Sequence, residues 1–238
     1  MNSMTPFPLT ARPEAAQSAP IAAGNATPTD VAATSRVLRN TYALLSMTLL
    51  FSAAIAAASV AFQLPAPGIL LTLGGYFGLL FAVYKFKSSG WALPAVFALT
   101  GFMGYSLGPV VAKSLALPGG AQAVTMALAA TGVTFLALSA WVLTTRRNFS
   151  FMGGFLFAGM VIALIAGLGA VFLQMPALGL AVAAMVALLS AGLILFETSH
   201  IVNGGETNYV LATVGLYVSI FNLFTSLLSL FGFGSSDE

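Results

Sequence analysis

From Thr41 onward the chain is a succession of long apolar runs divided by short polar or Pro/Gly-rich breaks. The runs cover 41–62, 69–84, 91–112, 122–144, 151–173, 177–196 and 209–232. They are apolar on every face, which excludes the alternating pattern of transmembrane β-barrel strands. A helix rises ~1.5 Å per residue, so about 20 residues cross the hydrocarbon core. Backbone groups in lipid must be paired within their own segment, so each run is expected to be helical. The pattern predicts an all-α membrane protein, a seven-transmembrane-helix bundle over 34–238, preceded by a disordered cytoplasmic tail over 1–33. The second run is the shortest and is expected to extend into its flanks.

The breaks have local causes. Gln63-Leu-Pro-Ala-Pro-Gly68, Leu117-Pro-Gly-Gly120, Gln174-Met-Pro176 and Asn203-Gly-Gly205 combine the residues that stop helices and make turns. Two of them echo each other: Gln63-Leu-Pro-Ala-Pro-Gly68 resembles Gln174-Met-Pro-Ala-Leu-Gly179, and Arg39-Asn40 resembles Arg147-Asn148. A parallel duplication of helices one–two as five–six would produce such an echo, and so would chance in an apolar sequence. Small residues at four-residue spacing, Gly74/Gly78, Gly104/Gly108 and Gly154/Ala158, are expected at close helix contacts. Pro109 is expected to kink helix three.

Composition narrows the class. Hydrophobic residues make up 59% and charged residues 6% of the chain, against about 25% charged in soluble domains. So few charges cannot cover a water-exposed surface, and the mean hydropathy of +0.99 agrees. The absence of cysteine excludes disulfides, thiolate nucleophiles and iron–sulfur clusters, and the one histidine, His200, excludes a multi-histidine metal site. A net charge of +2 is too small to suggest nucleic acid. Residues 1–33 are rich in Pro, Ala, Thr and Ser. Their longest apolar stretch, Ile21-Ala22-Ala23, is too short for a signal-peptide core, and the segment cannot bury enough surface to offset its ordering entropy.

Charge placement gives an orientation. With the amino terminus in the cytoplasm, Arg12, Arg36, Arg39, Lys85, Lys87, Arg146 and Arg147 fall inside and only Lys113 outside. Arg36, Arg39, Lys85, Lys87, Arg146 and Arg147 are thus expected as topology anchors in the lipid bilayer. Trp91 and Trp141 fit an aromatic belt. Seven spans put Asp237 and Glu238 outside.

Chemistry-bearing residues are few. Glu14 and Asp30 lie in the tail, Asp237 and Glu238 at the other end and Glu206 in a Gly-rich loop, leaving Glu197 as the one acid abutting an apolar run. It can be an interfacial carboxylate that reaches water, or an inward-facing one with an ion-path or pH-sensing role. Thr198, Ser199 and His200 read as loop residues. Ser219, Asn222 and Ser226 share one face of helix seven at three- and four-residue spacing, so that helix is expected to be central. No catalytic constellation is present, and an enzyme is not expected.

The chain also resembles the Bax inhibitor-1 family, most closely its bacterial YccA-like branch. The matching stretches are Val37-Leu-Arg-Asn-Thr-Tyr42, Thr100-Gly-Phe-Met-Gly-Tyr-Ser-Leu-Gly-Pro109, Val142-Leu-Thr-Thr-Arg146, Leu195-Phe-Glu-Thr-Ser199, Gly204-Gly-Glu-Thr-Asn-Tyr209 and Leu216-Tyr-Val-Ser-Ile-Phe-Asn222. The resemblance implies seven helices with the seventh surrounded by the other six, and no cofactor. It implies an inner-membrane protein that binds and restrains the FtsH protease complex and is its slow substrate through the tail. The alternative it carries is a pH-sensitive leak for Ca2+ or H+, gated by a pair of acids. Glu197 matches the helix-six acid, whereas the helix-seven positions fall on Ser219 and Gly215, so the pair is incomplete.

Overall fold

Each apolar run folds as an α-helix in the structure, a computed structural model that describes the backbone of residues 28–234 and the side chains of residues 33–232. The helices are α1 Pro28–Ala61, α2 Ile69–Phe86, α3 Ala92–Leu115, α4 Gly120–Thr145, α5 Gly153–Phe172, α6 Pro176–Val202 and α7 Tyr209–Gly234, with a 3-10 turn at Ser150–Met152 before α5. All seven are long and apolar enough to cross a membrane, and no strand forms among the described residues. The expected tail lies outside the described residues up to position 27, as do Asp237 and Glu238.

Two helices are longer than hydropathy suggests. α1 starts at Pro28 and so takes in the last six residues of the expected tail. Proline is pre-organised for the first helical position, and no breaker follows until Gln63. α6 runs six residues past Phe196, to Val202. Thr198, Ser199 and His200 are therefore helical, which corrects their reading as loop residues, and Glu197 lies on α6 as the helix-six match implies. The change to polar residues marks where the helix leaves lipid, and the helix ends only at Asn203-Gly204, where Gly204 takes a left-handed φ of 73°.

The echoed breaks are the same turn. Gln63 and Gln174 have left-handed φ of 51° and 52°. In each, the glutamine amide bonds back to the carbonyl three residues earlier and the next amide to the carbonyl five earlier, as Leu64 to Ser59 and Met175 to Ala170, both 3.0 Å. This is the Schellman closure, with proline following. The likeness stops there: α5 packs on α6, whereas α1 does not pack on α2. The shared letters encode a helix stop and do not extend to a repeated helix pair.

α7 is the centre of the bundle, with 50% of its apolar window buried against 6% for α2. It touches α1, α2, α3, α4 and α6. α5 packs on α6 alone, because α6 stands between it and α7, so five helices surround the seventh and not six. The inner side of the bundle holds Leu45, Val83, Val96, Leu99, Ile194 and Leu216. The Tyr217 hydroxyl lies 2.5 Å from Ser52 Oγ and donates to the Thr100 carbonyl at 3.3 Å, joining α7 to α1 and α3.

One of the three small-residue pairs makes a close contact. A methyl on Gly104 would overlap the Ser52 carbonyl oxygen, and one on Gly108 would overlap Ser59. Gly74, Gly78 and Gly154 face open space, correcting their expected role. The α5–α6 contact uses glycines outside that spacing: Leu189 lies over Gly159, and Leu156 over Gly192. α3 continues through Pro109. Proline has no amide to bond the Tyr105 carbonyl, and Ser59 Oγ of α1 donates to that oxygen at 3.3 Å instead.

Gly104→Leu is expected to destabilise the detergent-solubilised protein by about 1–3 kcal/mol through overpacking. Gly78→Leu should leave the melting temperature within error. Equal losses would place the α1–α3 contact elsewhere.

Candidate functional site

Side chains tie the loops to one another at one end of the bundle, where the connector 203–208 between α6 and α7 meets the other two loops. Ser199, fully buried on α6, holds the α4–α5 loop. Its Oγ donates to the Arg147 carbonyl at 3.0 Å and accepts the Phe149 amide at 2.9 Å. Asn203 Nδ2 donates to the Ser199 carbonyl at 2.8 Å, fixing the last turn of α6. Asn208 holds the α2–α3 loop: its Nδ2 donates to the Lys87 carbonyl at 3.0 Å. Its Oδ1 caps α7 by accepting the Val210 amide at 2.9 Å and the Leu211 amide at 3.3 Å. Glu206 Oε1 accepts the Asn208 amide at 2.7 Å. On the α1 side Gly204 faces Thr34. The last turn of α6 and the connector therefore tie the α4–α5 and α2–α3 loops to the α6–α7 end.

His200 lies on the last turn of α6, its ring stacked on Phe196 with centroids 5.5 Å apart and close against Gly205. Thr198 is fully buried, 3.4 Å from Ser139 of α4. Neither is the solvated loop residue that the sequence suggests.

One turn deeper, Glu197 faces α7. A methyl placed on Gly215 would lie 2.6 Å from the Glu197 carboxyl carbon, so the missing side chain of Gly215 makes the room the carboxyl occupies. No cation pairs with Glu197 among the described residues. Ser219 is buried one turn further along α7, with its hydroxyl given to the Gly215 carbonyl at 3.0 Å. Asn222 is half-buried on the same face. Glu197, Gly215 and Ser219 thus share the α6–α7 seam. Among the described residues no three His, Asp or Glu side chains gather where they could hold a metal.

The six basic anchors share this end: Arg36 and Arg39 on α1, Lys85 in the last turn of α2 and Lys87 just after it, and Arg146 and Arg147 after α4, while Lys113 lies at the opposite end. Lys87 Nζ sits 4.3 Å from the Tyr84 ring centre. Arg146 has a left-handed φ of 51°, closed by its amide on the Val142 carbonyl at 2.8 Å.

The family described as inhibitor of apoptosis-promoting Bax1 matches residues 34–236. The chain belongs to the Bax inhibitor-1 family. Its Bax inhibitor-1 region takes in all seven apolar spans and the braced connector. Among curated relatives it is 52% identical over 209 residues to the "Modulator of FtsH protease YccA" of Escherichia coli K12, covering 88% of this chain and 95% of that protein. It is 48% identical to an uncharacterized protein of Pseudomonas aeruginosa, over 86% of this chain and 92% of that one. It is 43% identical to an uncharacterized membrane protein of Vibrio cholerae, over 86% and 92%.

Sequence reasoning did not find the bracing roles of Ser199 and Asn208. The only local signal was that Asn208 precedes an apolar run and so suits a helix cap. Ser199→Ala should cost about 1–3 kcal/mol, because it leaves a loop amide and carbonyl without their partner. The same change at exposed Ser46 should cost little. Thermal unfolding in detergent checks both, and equal midpoints would show that the α4–α5 loop is held by other contacts.

Proposed function

We propose that this chain is an inner-membrane protein that binds the FtsH protease complex and restrains it, without catalytic activity of its own. The carrying observation is its 52% identity, across 88% of its length, to a protein named for modulation of that protease. The braced end supports the reading physically. A membrane protease that engages the chain from its amino-terminal residues would next meet α1. That helix lies tightly against α3 through Gly104 and Gly108. Resistance to extraction at that point makes a slow substrate, and a slow substrate occupies the enzyme. The basic end then faces the cytoplasm, in keeping with the positive-inside rule, with residues 1–27 as the segment the protease grips.

The seam favours this reading over a leak gated by paired acids. Glu197 faces a glycine, and the Ser219 hydroxyl is committed to its own helix. A role for Glu197, Ser219 and Asn222 in passing Ca2+ or H+ therefore stands as the lesser proposal, read by flux into liposomes in Glu197→Gln against the parent.

Affinity purification of the full chain from native membranes should recover FtsH, and Glu197→Gln should recover it equally. Removing residues 1–27 should slow turnover of this chain several-fold in cells while leaving it in the membrane. Recovery of no protease, together with unchanged turnover of the truncated chain, would overturn the proposal.

A further inference from the structure

At the basic end α1 and α4 do not pack on each other. The gap between them is a cleft of about 660 Å³, floored by the α6–α7 connector. Deeper in the bundle the Tyr42 and Phe135 rings meet across it, with centroids 6.0 Å apart, and close it. The walls are graded. Val37 and Leu38 on α1 and Leu143 on α4 supply apolar surface, whereas Arg146, Glu206 and Thr34 supply polar groups. Both sides of the cleft belong to helices long and apolar enough to cross a membrane, and it lies at the end that carries the basic residues.

Among the described residues one cation, Arg146, and one carboxylate, Glu206, line this cleft, and they form no ion pair with each other. Glu206 uses Oε1 to accept the Asn208 amide and keeps its second oxygen. The backbone of Arg146 is fixed by its bond to Val142, and the next carbonyl, that of Arg147, by Ser199. This left-handed residue closes α4 as Gln63 closes α1 and Gln174 closes α5.

We propose that this cleft binds the headgroup of a zwitterionic aminophospholipid, phosphatidylethanolamine. The Arg146 guanidinium bonds the phosphate in its two-pronged geometry. The primary ammonium donates to Glu206. The glycerol and first acyl carbons lie against Val37, Leu38 and Leu143. A headgroup that carries a negative and a positive charge matches a cleft that offers one of each. An anionic lipid would leave Glu206 facing a like charge. A choline headgroup has no N–H to donate to the carboxylate.

The test is native mass spectrometry of the intact full-length protein, released from detergent with equal amounts of phosphatidylethanolamine, phosphatidylcholine and phosphatidylglycerol of matched acyl chains. The parent should retain the ethanolamine lipid about tenfold over either competitor, the scale of one charge-assisted contact. Glu206→Gln keeps the oxygen that holds Asn208, and should abolish discrimination between the ethanolamine and choline lipids. Arg146→Gln should lower retention of all three lipids, and Arg146→Lys should restore part of it. Equal retention of the three lipids by the parent would overturn the proposal. So would a phosphatidylglycerol preference untouched by Glu206→Gln, since that is attraction to a basic surface alone. Discrimination that appears only when residues 1–27 are removed would assign the cleft to the chain's own amino-terminal segment, and would also overturn it.

Discussion

Inside a bilayer no water is available to bond a polar group, so amides, carbonyls and hydroxyls are bonded within the protein, with the buried hydroxyls of Thr41, Tyr42 and Ser190 as exceptions. Most of this molecule follows from that constraint. It makes each apolar run a helix. It turns buried hydroxyls back onto their own helices, as Thr131 does to Ala127, Ser106 to Phe102 and Ser229 to Thr225. Where Pro109 frees a carbonyl, a serine from the neighbouring helix supplies the missing hydrogen. Where a tyrosine is buried, as at Tyr217, its hydroxyl is shared between two other helices.

The same constraint explains why the two ends of the bundle differ. At the end bearing Gln63 and Gln174, helices close on themselves through backbone bonds, and the one distant side chain that reaches these turns among the described residues is Tyr105 of α3, whose hydroxyl donates to the Pro65 carbonyl at 2.7 Å. At the basic end the loops are tied to one another by side chains. Ser199 and Asn208 reach across 52 and 121 residues of sequence to loop carbonyls. An end built in this way is a rigid platform. It holds Arg146 at the α4 wall and Glu206 at the floor of the cleft between α1 and α4.

Apolar packing between helices then depends on glycine only where backbones must approach. Gly104 and Gly108 bring α3 onto α1, and Gly215 admits the Glu197 side chain between α6 and α7. The glycines at 74, 78 and 154 share the same spacing and letters yet face outward. A four-residue interval between small residues defines a helix face, but it says nothing about what that face meets.

The sequence by itself determined the number of helices, their approximate limits and the clustering of positive charge at one end, because lipid imposes a length and a polarity that hydropathy reads directly. It also determined that α7 lies inside, since Ser219, Asn222 and Ser226 share a face that has no place in hydrocarbon. Only the tertiary structure decided that Thr198 and Ser199 lie on a helix that outlasts its apolar run, that α5 stays off the centre, and that Glu197 meets Gly215. The physical reason is that a helix ends where its hydrogen bonds end and not where lipid ends. Which helix faces meet depends on shape complementarity among side chains far apart in sequence, and no local pattern encodes it.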